Sequence, residues 1–197
     1  MTDVRSQLSA IVLAGGSARR FGRDKLVEPI DGRPLLHHAV AAVRAVAEDV
    51  VVVAAPGADP AVPPGARLTH DEVADRGPLA GLLAGLLVVR GTFVIVVGGD
   101  MPSLQPAVLA LMARTLGSSV ADVVVLEHLG RRPPLPMAVR TWSATTLARR
   151  LTTEGERRLG AMVDGSVAVS IAGTDWRALD PEALTMRDVD EPDDLPG

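Results

Sequence analysis

The chain has 197 residues, 47% hydrophobic and 22% charged, with a formal net charge of −4, the profile of one globular domain spanning the whole chain, 1–197. There is no cysteine, which excludes disulfides, thiolate metal sites and cysteine nucleophiles, and aromatics make up only 2%, which argues against aromatic base-stacking platforms. The acidic balance also lacks the basic surplus that nucleic-acid binding demands.

The N-terminus "MTDVRSQLS" is polar and has no signal-like apolar region. The longest apolar run, "PLAGLLAGLLVV", is too short to cross a bilayer. A soluble, cytoplasmic protein with no membrane partner is expected. "LSAIVLA" reads as a strand buried on both faces. From Pro34 to Ala47 the apolar residues Leu35, Leu36, Ala39, Val40, Val43, Val46 and Ala47 mark one face of a helix opened by proline.

"DVVVVAA" is a second buried strand, "PGADPAVPPGA" a loop, and Ala66–Thr69 a further short strand. "PLAGLLAGLLVVR" predicts a helix and "TFVIVVGG" a strong strand. A helix over Gln105–Leu116 leads to the strand "ADVVVLE", the proline-rich turn "GRRPPLP" and a strand in "LPMAVR". Helices over Thr141–Leu151 and Glu156–Val163 precede the strand "SVAVSI". Strands alternating with helices imply an α/β fold with a mainly parallel sheet and helices on both faces. Ligands of such sheets sit beyond the carboxyl ends of the strands.

Two such ends carry unusual chemistry: Gly15–Lys25 and Gly98–Pro102. Glycines after a strand let backbone N–H groups approach phosphate oxygens. Here Gly15 and Gly16 precede Arg19, Arg20, Arg23 and Lys25. The P-loop pattern fails because Gly22 is followed by Arg23-Asp24-Lys25-Leu26, and "GGSARRFG" does not supply the dinucleotide fingerprint. "KLVEPI" contains Pro29 and reads as an extended segment, so the loop can wrap over phosphates and return Lys25 to the site. Asp100, after an apolar strand and two glycines, is the leading metal carboxylate. Its structural alternative is a turn or helix-capping aspartate. Asp188 and Asp190 would point the same way from an extended stretch. The adjacent His37 and His38 cannot converge on one metal and read as solvated neighbours.

"LAGGSARRFGRDK" resembles the first-loop signature L-A-G-G-x-x-x-R-x-G-x-D-K of the molybdenum cofactor nucleotidyltransferases. The resemblance runs from about Ser9 to Leu195, through "DEVADRGPLAGLLAGL", "GGDMPSLQP", "GRRPPLPMAVR", "EGERRLGAM" and "DVDEPDDL". It is strongest toward the guanylyl branch of that family. It implies a Rossmann-like three-layer sandwich of the nucleotide-diphospho-sugar transferase type. The implied activity is magnesium-dependent transfer of GMP from GTP to molybdopterin, with possible transient contact with molybdenum cofactor biosynthesis or acceptor proteins.

Carried onto this sequence, the resemblance implies catalytic roles for Arg19, Lys25 and Asp100. It implies nucleotide binding by Leu13, Ala14, Gly15, Gly16, Lys25, Asp71, Gly77, Pro78, Gly81 and Asp100. Metal would be held by Asp100 with Asp188 or Asp190, and the pterin would meet Arg157 and Arg158, with Arg131 and Arg132 as further candidates. Ala54 replaces an asparagine common in the guanylyl relatives, and "DVD" replaces their asparagines. Cytidylyl transfer, or transfer to another small phosphate, therefore stays open as an alternative. A non-catalytic nucleotide-binding protein is the third reading.

Overall fold

The computed structural model describes residues 7–15, 25–71 and 77–189. Seven strands form one sheet in the order β5-β4-β1-β6-β8-β7-β9. These are β1 (Leu8–Ala14), β4 (Asp49–Ala54), β5 (Arg67–His70), β6 (Phe93–Gly98), β7 (Val123–Leu126), β8 (Met137–Arg140) and β9 (Ala168–Ile171). A separate hairpin pairs β2 (Pro29–Ile30) with β3 (Arg33–Pro34). All neighbours in the large sheet are parallel except β8, which runs antiparallel to both β6 and β7.

Period-two alternation divides the apolar residues of each strand between two cores. Ala10, Val12, Val52, Ile95 and Val97 face one layer, with helices α1 (Leu35–Arg44) and α3 (Pro106–Ser118). Ile11, Val51, Val53, Val94 and Val96 face the other, with α2 (Pro78–Leu86), α4 (Thr141–Thr153) and α5 (Gly160–Asp164). The central strands are buried on both sides, which is why their sequences run as unbroken apolar stretches. This is the expected three-layer, mainly parallel sandwich.

Several boundaries differ from the sequence reading for local reasons. Helix α1 ends at Arg44 and not Ala47. "KLVEPI" is not extended throughout: Lys25–Val27 form a 3-10 turn before β2. The expected helix at Glu156 begins only at Gly160, because the Glu156 carboxylate takes the N–H groups of Arg157 and Arg158 at 2.8 and 2.9 Å. His37 and His38 are not simply solvated: their Nε2 atoms lie 2.7 Å from the Ala61 carbonyl and 2.9 Å from that of Ile30. A short helix α6 (Gly173–Trp176) buries Trp176 completely. Among the described residues, no helix is long and apolar enough to cross a membrane.

The chain runs outward from β1 through β4 to β5, then returns to place β6 on the other side of β1. That reversal opens a crevice beyond the carboxyl ends of β1 and β6, where sheets of this kind bind their ligands.

Candidate active site

Strand β1 ends in Leu13 and Ala14 followed by Gly15, and β6 ends in Gly98 followed by Gly99 and Asp100. The Gly99 N–H donates to the Leu13 carbonyl at 2.9 Å, fastening the two ends together. A side chain at Gly99 would press on Leu36, Leu26 and the Leu13 carbonyl at 3.2–3.4 Å. At Gly98, a Cβ would run into Oδ1 of Asp100. Gly98 thus allows the carboxylate to fold back over the strand end, while Gly99 lets the strand end sit against Leu26 and Leu36.

Lys25 reaches the same place from the 3-10 turn. Its neighbour Leu26 is buried in the α1 layer and anchors that turn. The Lys25 ammonium lies 2.9 Å from Asp100 Oδ2 and donates to the Val189 carbonyl at 2.7 Å. The Val189 N–H in turn donates to the Asp100 carbonyl at 2.9 Å. Three segments far apart in sequence therefore meet on one carboxylate and one ammonium.

Asp100 caps no helix. Helix α3 starts at Pro106 behind Gln105, whose N–H is taken by the Thr185 hydroxyl at 3.1 Å.

Asp71 follows β5 at the same edge, its N–H on the Ala54 carbonyl at 3.0 Å. Gly77 and Pro78 open α2, and Gly77 has a positive φ of 80°. Gly81 sits lower on that helix, against the side chains of Leu13 and Val53. The side of Gly81 that would carry a Cβ thus faces the sheet. Asp188 is exposed beside the buried Val189 and lies in no strand. The expected alternation with Asp190 is untested there, since Asp190 falls outside the described residues, as do Gly16, Arg19, Arg20 and Arg23. Among the described residues, no three His, Cys, Asp or Glu side chains cluster as a metal site.

Arg157 and Arg158 are both exposed, but their situations differ. The Arg158 guanidinium is paired to Glu156 at 2.8 Å. That bond, together with the N–H groups of Arg158 and Arg157, holds the Glu156 carboxyl down at about 2. The Arg157 carbonyl accepts from Leu79 N–H at 3.2 Å, at the start of α2. The "GERR" and "GPLAG" segments are therefore joined. Sequence reasoning missed Glu156 as a member of this group. Its signal was the acid placed directly before two arginines.

Residues 10–168 match the model of the MobA-like NTP transferase domain. The chain belongs to this family. A molybdenum cofactor guanylyltransferase of Burkholderia vietnamiensis is 33% identical over 187 residues, covering 89% of this chain and 91% of the relative. A Chloroflexus aggregans protein described as "Probable molybdenum cofactor guanylyltransferase" is 35% identical over 199 residues, covering 98% and 93%. Among solved structures, molybdopterin-guanine dinucleotide biosynthesis protein A from Archaeoglobus fulgidus superposes with a TM-score of 0.79 at 23% identity, covering 95% and 94%. 2-C-methyl-D-erythritol 4-phosphate cytidylyltransferase from Thermus thermophilus gives 0.70 at 20%, covering 94% of each chain. These two likenesses establish the nucleotide-diphospho-sugar transferase fold. As a member of the MobA-like family, the protein is a nucleotidyltransferase.

Proposed function

We propose that the protein transfers GMP from GTP to molybdopterin, releasing pyrophosphate and forming the guanine dinucleotide form of the cofactor. The observation that carries the reading is the meeting of Lys25 and Asp100, 2.9 Å apart, at the mouth of the β1–β6 crevice. An oxygen of the acceptor phosphate attacks the α-phosphorus. The new P–O bond forms as the bond to the β-phosphate oxygen breaks, and pyrophosphate leaves with the electron pair. Negative charge spreads over the transferring and leaving groups, so fixed cations and backbone donors lower the barrier. Gly15 gives the backbone close access to the phosphates. Lys25 supplies an ammonium held by a buried anchor, and Arg19 is assigned the second cation.

The residues fit a magnesium ion. Asp100 offers carboxylate oxygen at a strand end cleared of side chains by Gly98 and Gly99, and magnesium takes one or two carboxylates along with substrate phosphates. Asp188 or Asp190 is the second candidate donor. When bound, the ion supplies positive charge at the α-phosphate and orients its oxygens. The protein's own part is to place Asp100, keep Lys25 within reach, and hold the base near Asp71, Gly77 and Pro78.

The test is incubation with each nucleoside triphosphate, magnesium and molybdopterin, with the dinucleotide read by mass. GTP should give product. Lys25→Ala and Asp100→Asn should each stop pyrophosphate release while remaining folded, and full activity in either would remove its assigned role. Ala54, buried at the end of β4, favours keeping cytidylyl transfer as the second reading, and a preference for CTP would replace the first with it.

A further inference from the structure

Helix α4 ends in a turn that sets up its continuation. Gly155 takes a φ of 83°, its N–H bonds to the Thr152 carbonyl at 3.2 Å, and the Glu156 N–H reaches the Leu151 carbonyl at 2.9 Å. This is the paired closure that ends a helix on a left-handed glycine. It delivers Glu156 onto the next two residues. The Glu156 Oε1 accepts from the N–H of Arg157 at 2.8 Å and of Arg158 at 2.9 Å, while Oε2 accepts from Arg158 Nη2 at 2.8 Å.

One carboxylate thus fixes two backbone units and one guanidinium. The turn it fixes leans directly on α2. Leu79 donates to the Arg157 carbonyl at 3.2 Å, and a Cβ on Gly77 would meet Arg157 Cβ at 2.9 Å and its carbonyl oxygen at 3.0 Å. The Arg157 guanidinium itself makes no hydrogen bond or ion pair among the described residues. It borders an open cleft of ≈ 540 Å³ shared with Thr152, Thr153 and Gly155.

We propose that Glu156 is a positioning residue. By clipping the Arg157–Arg158 turn it commits Arg158 to structure, leaves Arg157 as the arginine presented to the acceptor's phosphate, and ties that arginine to the helix opened by Gly77 and Pro78. The assignment of the acceptor rests on the GMP-transfer reading. The clip itself does not. Neutral acceptor oxygens can satisfy the two N–H groups, so the essential feature is a hydrogen-bond acceptor at this point rather than charge alone.

The test measures steady-state transfer with molybdopterin as the acceptor, beside amide hydrogen exchange on the same proteins without substrate. Glu156→Ala should raise the acceptor KM about tenfold and by clearly more than it raises the GTP KM, with kcat changed less than about twofold. Exchange at Arg157, Arg158 and Leu79 should quicken together. Glu156→Gln should restore most of the acceptor KM. Arg157→Ala should raise that KM at least as much as Glu156→Ala, and more than Arg158→Ala does. An unchanged acceptor KM in Glu156→Ala, a Glu156→Gln variant as damaged as the alanine, or a larger effect at Arg158 than at Arg157 would each overturn the proposal. If Glu156→Ala fails to fold, the glutamine variant and the two arginine variants decide it. If the wild-type protein makes no dinucleotide, the GMP-transfer reading fails, and exchange alone judges the clip: unchanged rates at the three amides would reject it.

Discussion

Two glycines four residues apart on α2 are expected to respond to alanine with opposite signs. At Gly81 an added Cβ would lie 3.7 Å from both Leu13 Cδ2 and Val53 Cγ1, ordinary contact distance. The substitution then gains the helix propensity of alanine over glycine, about 1 kcal/mol. At Gly85 the same Cβ would meet Ile11 at 2.8 Å from Cδ1 and 3.0 Å from Cγ1 and Cγ2. The Cδ1 end can swing away, but Cγ2 is bonded to a Cβ fixed by a fully buried strand. Overpacking of this kind costs typically about 1–3 kcal/mol, against the same gain of about 1 in propensity. The net effect is a loss of about 1 kcal/mol, so the two variants should differ by about 2 kcal/mol. In a chain of this length each kcal/mol moves the thermal midpoint by about 2–4 °C. Urea unfolding followed by tryptophan fluorescence reads the change directly, because Trp176 is buried while Trp142 is already 80% exposed. Pyrophosphate release measured on the same samples tests the role of Gly81. Packing alone leaves the rate intact. Equal stabilisation of both variants would refute the steric argument, and a stabilised but inactive Gly81→Ala would return that residue to the nucleotide pocket.

Two further outcomes follow from the opposite end of the sheet. Burial pushes the Asp49 carboxyl up, but hydrogen bonds from Ser9, Arg67 and the Arg90 N–H outweigh it and leave it below its ordinary value. The folded protein then binds fewer protons there than the unfolded chain. This contribution is complete above the unfolded value near ~4 and is lost as pH falls through the folded one. Asp49→Asn should therefore be less stable than wild type at neutral pH, with the gap closing in acid; a gap independent of pH would contradict the assignment. Arg140 donates to the carbonyls of Ala121, Leu116 and Ser119 at 2.8, 3.0 and 2.6 Å, closing the carboxyl end of α3, and stacks 5.2 Å over Phe93. Arg140→Met should cost about 2 kcal/mol in urea unfolding, and a change below about 0.5 would show that solvent satisfies those carbonyls equally well.

The layers were legible because each depends on local pattern. Short unbroken runs rich in valine and isoleucine read as strands buried on both faces, and the face of Leu35–Val43 repeats at helical spacing. The place of Asp100 was legible as well, since the apolar run and the two glycines before it put its carboxylate at the end of a buried strand. What local pattern cannot carry is the return of the chain from β5 to β6, and the site depends on it. Lys25 and Asp100 become partners only because β6 lies beside β1, and Val189 joins them across 164 residues from Lys25. The same limit hid the difference between Arg157 and Arg158. As neighbours in sequence they look equivalent; the Glu156 carboxylate takes the Arg158 guanidinium alone, and it is Arg157 whose backbone lies against the first residues of α2. Gly81 shows the reverse case. It sits inside a motif that resemblance ties to nucleotide binding, yet its Cα is turned toward Leu13 and Val53. A motif can therefore be retained in full while its glycines serve two purposes, one opening a turn against the arginine segment and the next letting a helix settle on the sheet.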